Sequence, residues 1–232
     1  LLTGACARWV PREARDAGSA VIFRKFVDHG IVPEPRQLVK SMGLHASDRL
    51  MVMGLNEADC LPTHDLRKRF AWDKAFAEAV WDMLPNCFPV LGSFSMGTPE
   101  IENPNVAAVW RETYGAFLNA NWQRAGLNYH SYSGRPADGY PPFDVQVIQP
   151  KWFEMRHLRF SYDPALGALD KRVVLVSDES GVDVGGKGGF RDCGYTDAHL
   201  ERWWTQRLGL FEAHPQQYVF NLFQGDQRST RW

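Results

Sequence analysis

Cys193 closes the stretch of this chain most suited to chemistry. Before it run Gly181, Gly185, Gly186, Gly188 and Gly189, then Phe190-Arg191-Asp192-Cys193-Gly194-Tyr195. The strand-like Arg172-Val173-Val174-Leu175-Val176 precedes the run, and the pattern predicts a helix from about Thr196 to Leu208 after it. A thiolate is the reactive form of cysteine, and a helix amino terminus or a nearby imidazole favours it. Glycines let backbone N–H groups approach a developing oxyanion. On these grounds Cys193 is a candidate nucleophile toward an amide-like bond. Asp192 stands beside it, His214 or His130 is the candidate general base, and backbone donors near Gly194 would meet the oxyanion. The competing reading of Cys193 is a buried structural thiol, since cysteines are commonly interior residues.

The run Phe190-Arg191-Asp192-Cys193-Gly194-Tyr195 resembles the sequence around the nucleophile of NlpC/P60-like cysteine peptidases. Those also carry glycine-rich sequence before an aspartate–cysteine pair and a helix after it. The likeness extends over a short segment, with Gly194 where a serine is usual. It implies Cys193 as the attacking group and a histidine well downstream, on a strand. His199 falls within the same expected helix, so His214, ahead of a strand, is the better downstream partner. Permuted relatives place the histidine first, which admits His130 or His157.

Other constellations are weaker. Asp178, Glu179, Asp183, Asp192 and Asp197 face only Lys187 and Arg191 around the glycine-rich loop. Oxygen ligands of that kind suit Ca²⁺ or Mg²⁺, but the spacing fits no EF-hand, and an acidic surface loop is the expectation. Cys60, His64 and Asp65, joined by His45 and Cys87, have the residue types of a zinc site without a CxxC or HExxH motif. Ser93 and Ser95 end a strand-like run but lack the G-x-S-x-G spacing. Gly185-Gly186-Lys187-Gly188-Gly189 lacks the GK[ST] ending of a phosphate loop. The expectation is therefore no metal and no cofactor.

Aromatic residues give the reading that the sequence favours. Tyr129, Tyr132, Tyr140, Trp152 and Phe153 fall close together, and Trp203-Trp204 lie on the expected helix after Cys193. Rings bring a large contact area with few torsions to freeze. Tyr129, Tyr132, Tyr140, Trp152 and Trp203 are accordingly candidate binding residues of an aromatic-lined groove for a protein, peptide or glycan ligand. A binding or protein-interaction domain is the first functional expectation. A cysteine-dependent hydrolase or acyltransferase is the alternative.

Composition narrows the classes. The chain has 232 residues, 44% hydrophobic and 23% charged, with 9 Trp, 7 Tyr and 14 Phe, which is the make-up of a folded protein rather than a disordered one. A formal net charge of -1 offers no field for a phosphate backbone, so nucleic acid is not an expected partner. No apolar run approaches the roughly 18 residues of a transmembrane segment. Cys6, Cys60, Cys87 and Cys193 are widely spaced, which allows two long-range disulfides in three pairings but makes no crowded framework, and reduced thiols are the first expectation. They suit a cytoplasmic setting, with a secreted or periplasmic one left open. Leu1 to Cys6 resembles the end of a bacterial lipoprotein signal without its apolar segment. No oligomeric state is implied.

Stepwise along the chain, residues 1–87 are expected to be mostly helical. Arg12 to His29 carries apolar residues at helical spacing, Arg36 to Met42 is a short helix, and Thr63 caps a helix that Pro85 closes. Ser47 to Met53 reads as helix or strand. Phe88 to Phe94 reads as a strand and Asn105 to Arg124 as an amphipathic helix. Residues 127–142 read as an exposed loop or lid, and strands are expected over 143–148, 152–162, 172–177 and 217–223. The fold class expected is α+β, in one compact domain over 1–232. A helical portion of about 1–87 would pack on a portion of about 88–232 with a mixed or largely antiparallel sheet of about four to six strands.

Overall fold

The computed structural model describes residues 2–3, 22–24, 31–57, 65–94, 98–99, 103–133, 169–170, 172–182, 196–198, 201–202, 205 and 217–222. Short, mostly apolar runs among them form β1 (Leu2–Thr3), β2 (Ile22–Arg24), β3 (Met51–Met53), β4 (Phe88–Phe94), β5 (Gly126–Ser133), β6 (Val174–Val182) and β7 (Gln217–Leu222). These make one seven-stranded sheet whose spatial order is the order in sequence. Every pairing is parallel. A doubly wound sheet reverses its strand order at a switch point. Here the order never reverses, as in the wall of a (β/α) barrel.

Crossovers between parallel neighbours are right-handed, so a sheet wound in one direction sends its helices to one face. The described helices are α1 (Pro35–Ser41), α2 (Leu66–Met83), α3 (Pro104–Trp110) and α4 (Ala116–Ala120), the last two joined by a π-helical turn (Arg111–Gly115). Side chains alternate across a strand. Phe23, Val52, Leu91, Leu127 and Leu175 share one buried cluster with Leu38 and Val39 of α1, Phe76 and Val80 of α2, and Trp110, Tyr114 and Leu118. Their strand neighbours Ile22, Met53, Val90 and Val176 form a second cluster with Met51, Phe88 and Val174. That second cluster holds strand residues alone, as the inside of a barrel wall does.

Local chemistry sets the helix ends. The Glu34 carboxylate accepts from the Arg36 and Gln37 N–H groups at 3.0 and 3.4 Å, with Pro35 opening α1. Gly43, at φ 66°, follows its end. Asp65 caps α2 by accepting from the Arg67 N–H at 3.1 Å. The cap is thus two residues beyond Thr63, the expected one.

An all-parallel α/β sheet overturns the expected α+β fold with its mixed or largely antiparallel sheet and helical first third. The reason lies in strand length. β1, β2 and β3 have two or three residues each, too few to display a period. Ile22, Phe23 and Arg24 are all buried, as befits a strand covered on both faces. Such a run carries no alternation and reads as part of a helical stripe. Residues 127–142, expected as a loop or lid, begin instead with β5, where Asn128, Tyr129 and His130 are buried. The expected strand at Phe88 to Phe94 is present, and the expected helix after it becomes α3, the π turn and α4. Asp197, Ala198, Glu201, Arg202 and Thr205 are helical, as expected for 196–208. The strands expected over 143–148 and 152–162 lie outside the described residues.

Phe76 is fully buried and stacks on Trp72 with ring centroids 5.5 Å apart. Phe76→Ala is expected to cost about 3–5 kcal/mol in urea unfolding, and Lys74→Ala on the exposed side of α2 no more than about 0.5 kcal/mol. Similar small losses for both would contradict the packing of α2 on the sheet.

Candidate active site at the carboxyl edge of the sheet

Parallel α/β sheets bind ligands beyond the carboxyl ends of their strands. In this sheet those ends turn polar. β2 ends on Arg24, Gly54 and Leu55 lead from β3 to Asn56 and Glu57, and β4 carries Ser93. Asn128 and His130 follow on β5, then Ser177 and Glu179 on β6. Arg24, Ser93, Asn128, His130 and Ser177 are all buried. Buried polar groups are costly unless bonded, so the bonds they make define the site.

Arg24 Nη1 donates to Asn56 Oδ1 at 2.6 Å. Asn128 Nδ2 donates to Ser93 Oγ at 3.0 Å. Glu57 Oε1 meets His130 Nδ1 at 2.7 Å, with the imidazole fully buried and 26% of the Glu57 side chain exposed. His130 thus fixes one side of a carboxyl group that still reaches solvent. The backbone of His130 is in turn the register partner of Glu179 on β6.

The chain is strained at the same place. Glu57 has φ 43° and Ser93 φ 46°, both left-handed, and the Glu57 N–H donates to the Ser93 carbonyl at 2.9 Å. Each such residue costs about 1–3 kcal/mol, and such strain clusters at functional sites. Ser93 is also an extra residue in its ladder, because Gly92 pairs with Asn128 and Phe94 with Tyr129. A second irregularity follows on β6, where Asn128 pairs with Val176 but His130 with Glu179. Bulges re-aim side chains beside active sites. A carboxylate fixed in this way is suited to giving and taking a proton.

The residues singled out from sequence fall unevenly. Cys193, His214, Asp192, Gly194, Tyr140, Trp152 and Trp203 lie outside the described residues, as does His157. His130, offered as a base for Cys193, bonds Glu57 through Nδ1. Tyr129 is buried in the core cluster against the helices. Tyr132 stands on β5 opposite Gly181. Asp178 and Glu179 stand on β6 rather than in a loop. Cys60 and His64 are outside the described residues, while His45 Nδ1 bonds Ser47 Oγ at 2.8 Å and Asp65 caps α2. Cys87 Sγ donates to the Asp48 carbonyl at 3.2 Å, and burial pushes its thiol pKa up. Sequence reasoning missed Arg24, Asn56, Glu57 and Asn128. The available signal was an amide–carboxylate pair, Asn56-Glu57, beginning three residues after the apolar run Met51-Val52-Met53.

No protein-family model matches the chain, and no curated protein does. Among solved structures, a beta-porphyranase of glycoside hydrolase family 86 from the human gut bacterium Bacteroides plebeius aligns at a TM-score of 0.46 and 11% identity. The alignment covers 89% of this chain and spans only 38% of that one. At that score the likeness carries no weight for fold or function.

Gly92 lies at φ 92°, and a Cβ there would come within 2.8 Å of the Asn128 carbonyl oxygen. Gly43 is also left-handed but has open space around it. Gly92→Ala is expected to cost about 3 kcal/mol and Gly43→Ala about 1 kcal/mol in urea unfolding. Equal costs would show that the β4–β5 contact at the site is looser than described.

Proposed function

We propose that the chain hydrolyses glycosidic bonds, with Glu57 as general acid and Glu179 as the second carboxylate. The supporting observation is that His130 links the two glutamate positions: it bonds Glu57 at 2.7 Å and is the register partner of Glu179. Cleaving an acetal needs a proton on the departing oxygen while a carboxylate meets the positive charge growing at the anomeric carbon. Glu57, four residues beyond β3, and the Glu179 position on β6 lie at one carboxyl edge of the sheet, which suits that division of labour. Glu57 gives its proton to the leaving oxygen as the bond from that oxygen to the anomeric carbon breaks. Water supplies the new oxygen at that carbon, and its proton returns to a carboxylate. Asn56, held through Oδ1 by Arg24, offers an amide donor for a sugar hydroxyl.

Of the ligand classes that the sequence admits, this chemistry selects a glycan. Cys193 and His214, on which the thiol mechanism rests, lie outside the described residues. Among the described residues no helix is long and apolar enough to cross a membrane.

A panel of aryl glycosides and polysaccharides, assayed for released phenol and reducing ends, tests the proposal. Glu57→Gln and Glu179→Gln are each expected to lower kcat/KM by about 10²–10⁴-fold with the thermal midpoint retained. Glu57→Gln should lose least on 2,4-dinitrophenyl glycosides, whose leaving group needs no proton. No cleavage by the wild type, or either variant within about threefold of it, defeats the proposal.

A further inference from the structure

Behind the candidate site lies a second set of buried polar side chains that the proposed chemistry does not use. Asp73 and Arg69 face the core from successive turns of α2, and Tyr114 faces them from the π turn. Asp73 is 1% exposed and Tyr114 fully buried. Asp73 Oδ2 accepts from Tyr114 Oη at 2.6 Å, from Arg69 Nε at 3.1 Å and from the Gly92 N–H at 3.1 Å. Arg69 Nη2 donates to the Gly92 carbonyl and, at 3.4 Å, to the Leu55 carbonyl.

These bonds converge on two backbone points. Gly92 comes directly before Ser93, whose carbonyl receives the Glu57 N–H. Leu55 comes two residues before Glu57. One guanidinium therefore grips the chain on both sides of the contact that holds Glu57 in its left-handed conformation. Buried ion pairs are often no more stabilising than well-packed apolar residues, so stability alone gives little reason for one here. A fork of rigid donors fixes geometry better than an apolar side chain does. The π turn matters too, because such turns displace a helix residue from its regular place. Trp110, which ends α3, stacks on Tyr114 of the turn at 4.9 Å, and Phe94 packs edge-on to Tyr114 at 5.3 Å. Burial first, then the Asp73 carboxylate, push the Tyr114 phenol pKa well above its usual range, so the hydroxyl stays a donor.

We propose that Asp73, Arg69 and Tyr114 are positioning residues that set the orientation of Glu57 by fixing the backbone at Gly92 and Leu55. The proposal builds on Glu57 as the proton donor of the preceding section. Asp73→Asn risks misfolding, so the test uses Tyr114→Phe, which keeps the ring stack and removes one of three donors to Asp73.

Two readouts on the full chain separate the outcomes. The first is the His130 Nδ1 proton resonance in ¹H–¹⁵N spectra of wild type, Tyr114→Phe and Glu57→Gln. In Tyr114→Phe it is expected to move toward its place in Glu57→Gln, and an unmoved resonance overturns the proposal. The second is the dependence on leaving group. On the aryl glycosides that the wild type cleaves, Tyr114→Phe should lower kcat/KM about tenfold for unactivated phenyl leaving groups and less than about twofold for 2,4-dinitrophenyl. KM should be unchanged. Equal loss on both, or none on either, overturns positioning of the acid. A wild type that cleaves no glycoside defeats the glycosidase proposal instead, and the resonance alone then decides whether the network orients Glu57.

Discussion

Where a strand covered on both faces leaves its ladder, its N–H and C=O groups are still inside the protein and must find partners. Each one left unmet costs about 1–3 kcal/mol. At the carboxyl ends of β3 and β4 several such groups occur together: the carbonyls of Leu55, Gly92 and Ser93 and the N–H groups of Gly92 and Glu57. Asp73 and Arg69 take those of Gly92 and Leu55, and Ser93 and Glu57 take one another's. That shared requirement ties the ends of two strands to one helix and gives the edge of the sheet a single arrangement.

The left-handed backbone at Glu57 and Ser93 follows from it. Neither residue is glycine, so each holds its conformation at a cost that its surroundings must offset. The offsets visible are the bonds just named, the Asn128 amide on Ser93 Oγ and the His130 imidazole on Glu57. A glutamate held on one side by a buried imidazole and open on the other has few orientations left. Preorganisation of that kind is what acid–base chemistry asks of a carboxylate.

Parts of this were legible beforehand. The apolar stripe of Phe76, Val80 and their neighbours marks α2, and Phe88 to Phe94 marks β4, because both are long enough to show a period or a bounded run. β2 and β3 were hidden by their brevity, and with them went the parallel cadence of the fold. β5 was hidden differently. Asn128 and His130, with Tyr129 and Tyr132 beside them, look like loop chemistry, yet they stand on a strand whose buried positions at that level include polar side chains. Glu57 went unnoticed since a carboxylate after an apolar run means little until the run is known to be a strand. His130 stands out in the sequence as a candidate base, but its bond to Glu57 is set by tertiary register and not by spacing.

The unreversed strand order has a bearing on how the protein comes to be made. Among the described residues, a strand emerging during synthesis finds its ladder partner in the strand translated just before it. Contacts between successive units keep the separations in sequence moderate, which favours faster assembly than a sheet whose middle strands arrive last. Apart from the outer side of β1, at one end of the described sheet, the growing sheet then exposes one advancing edge, and the next strand of the ladder covers it.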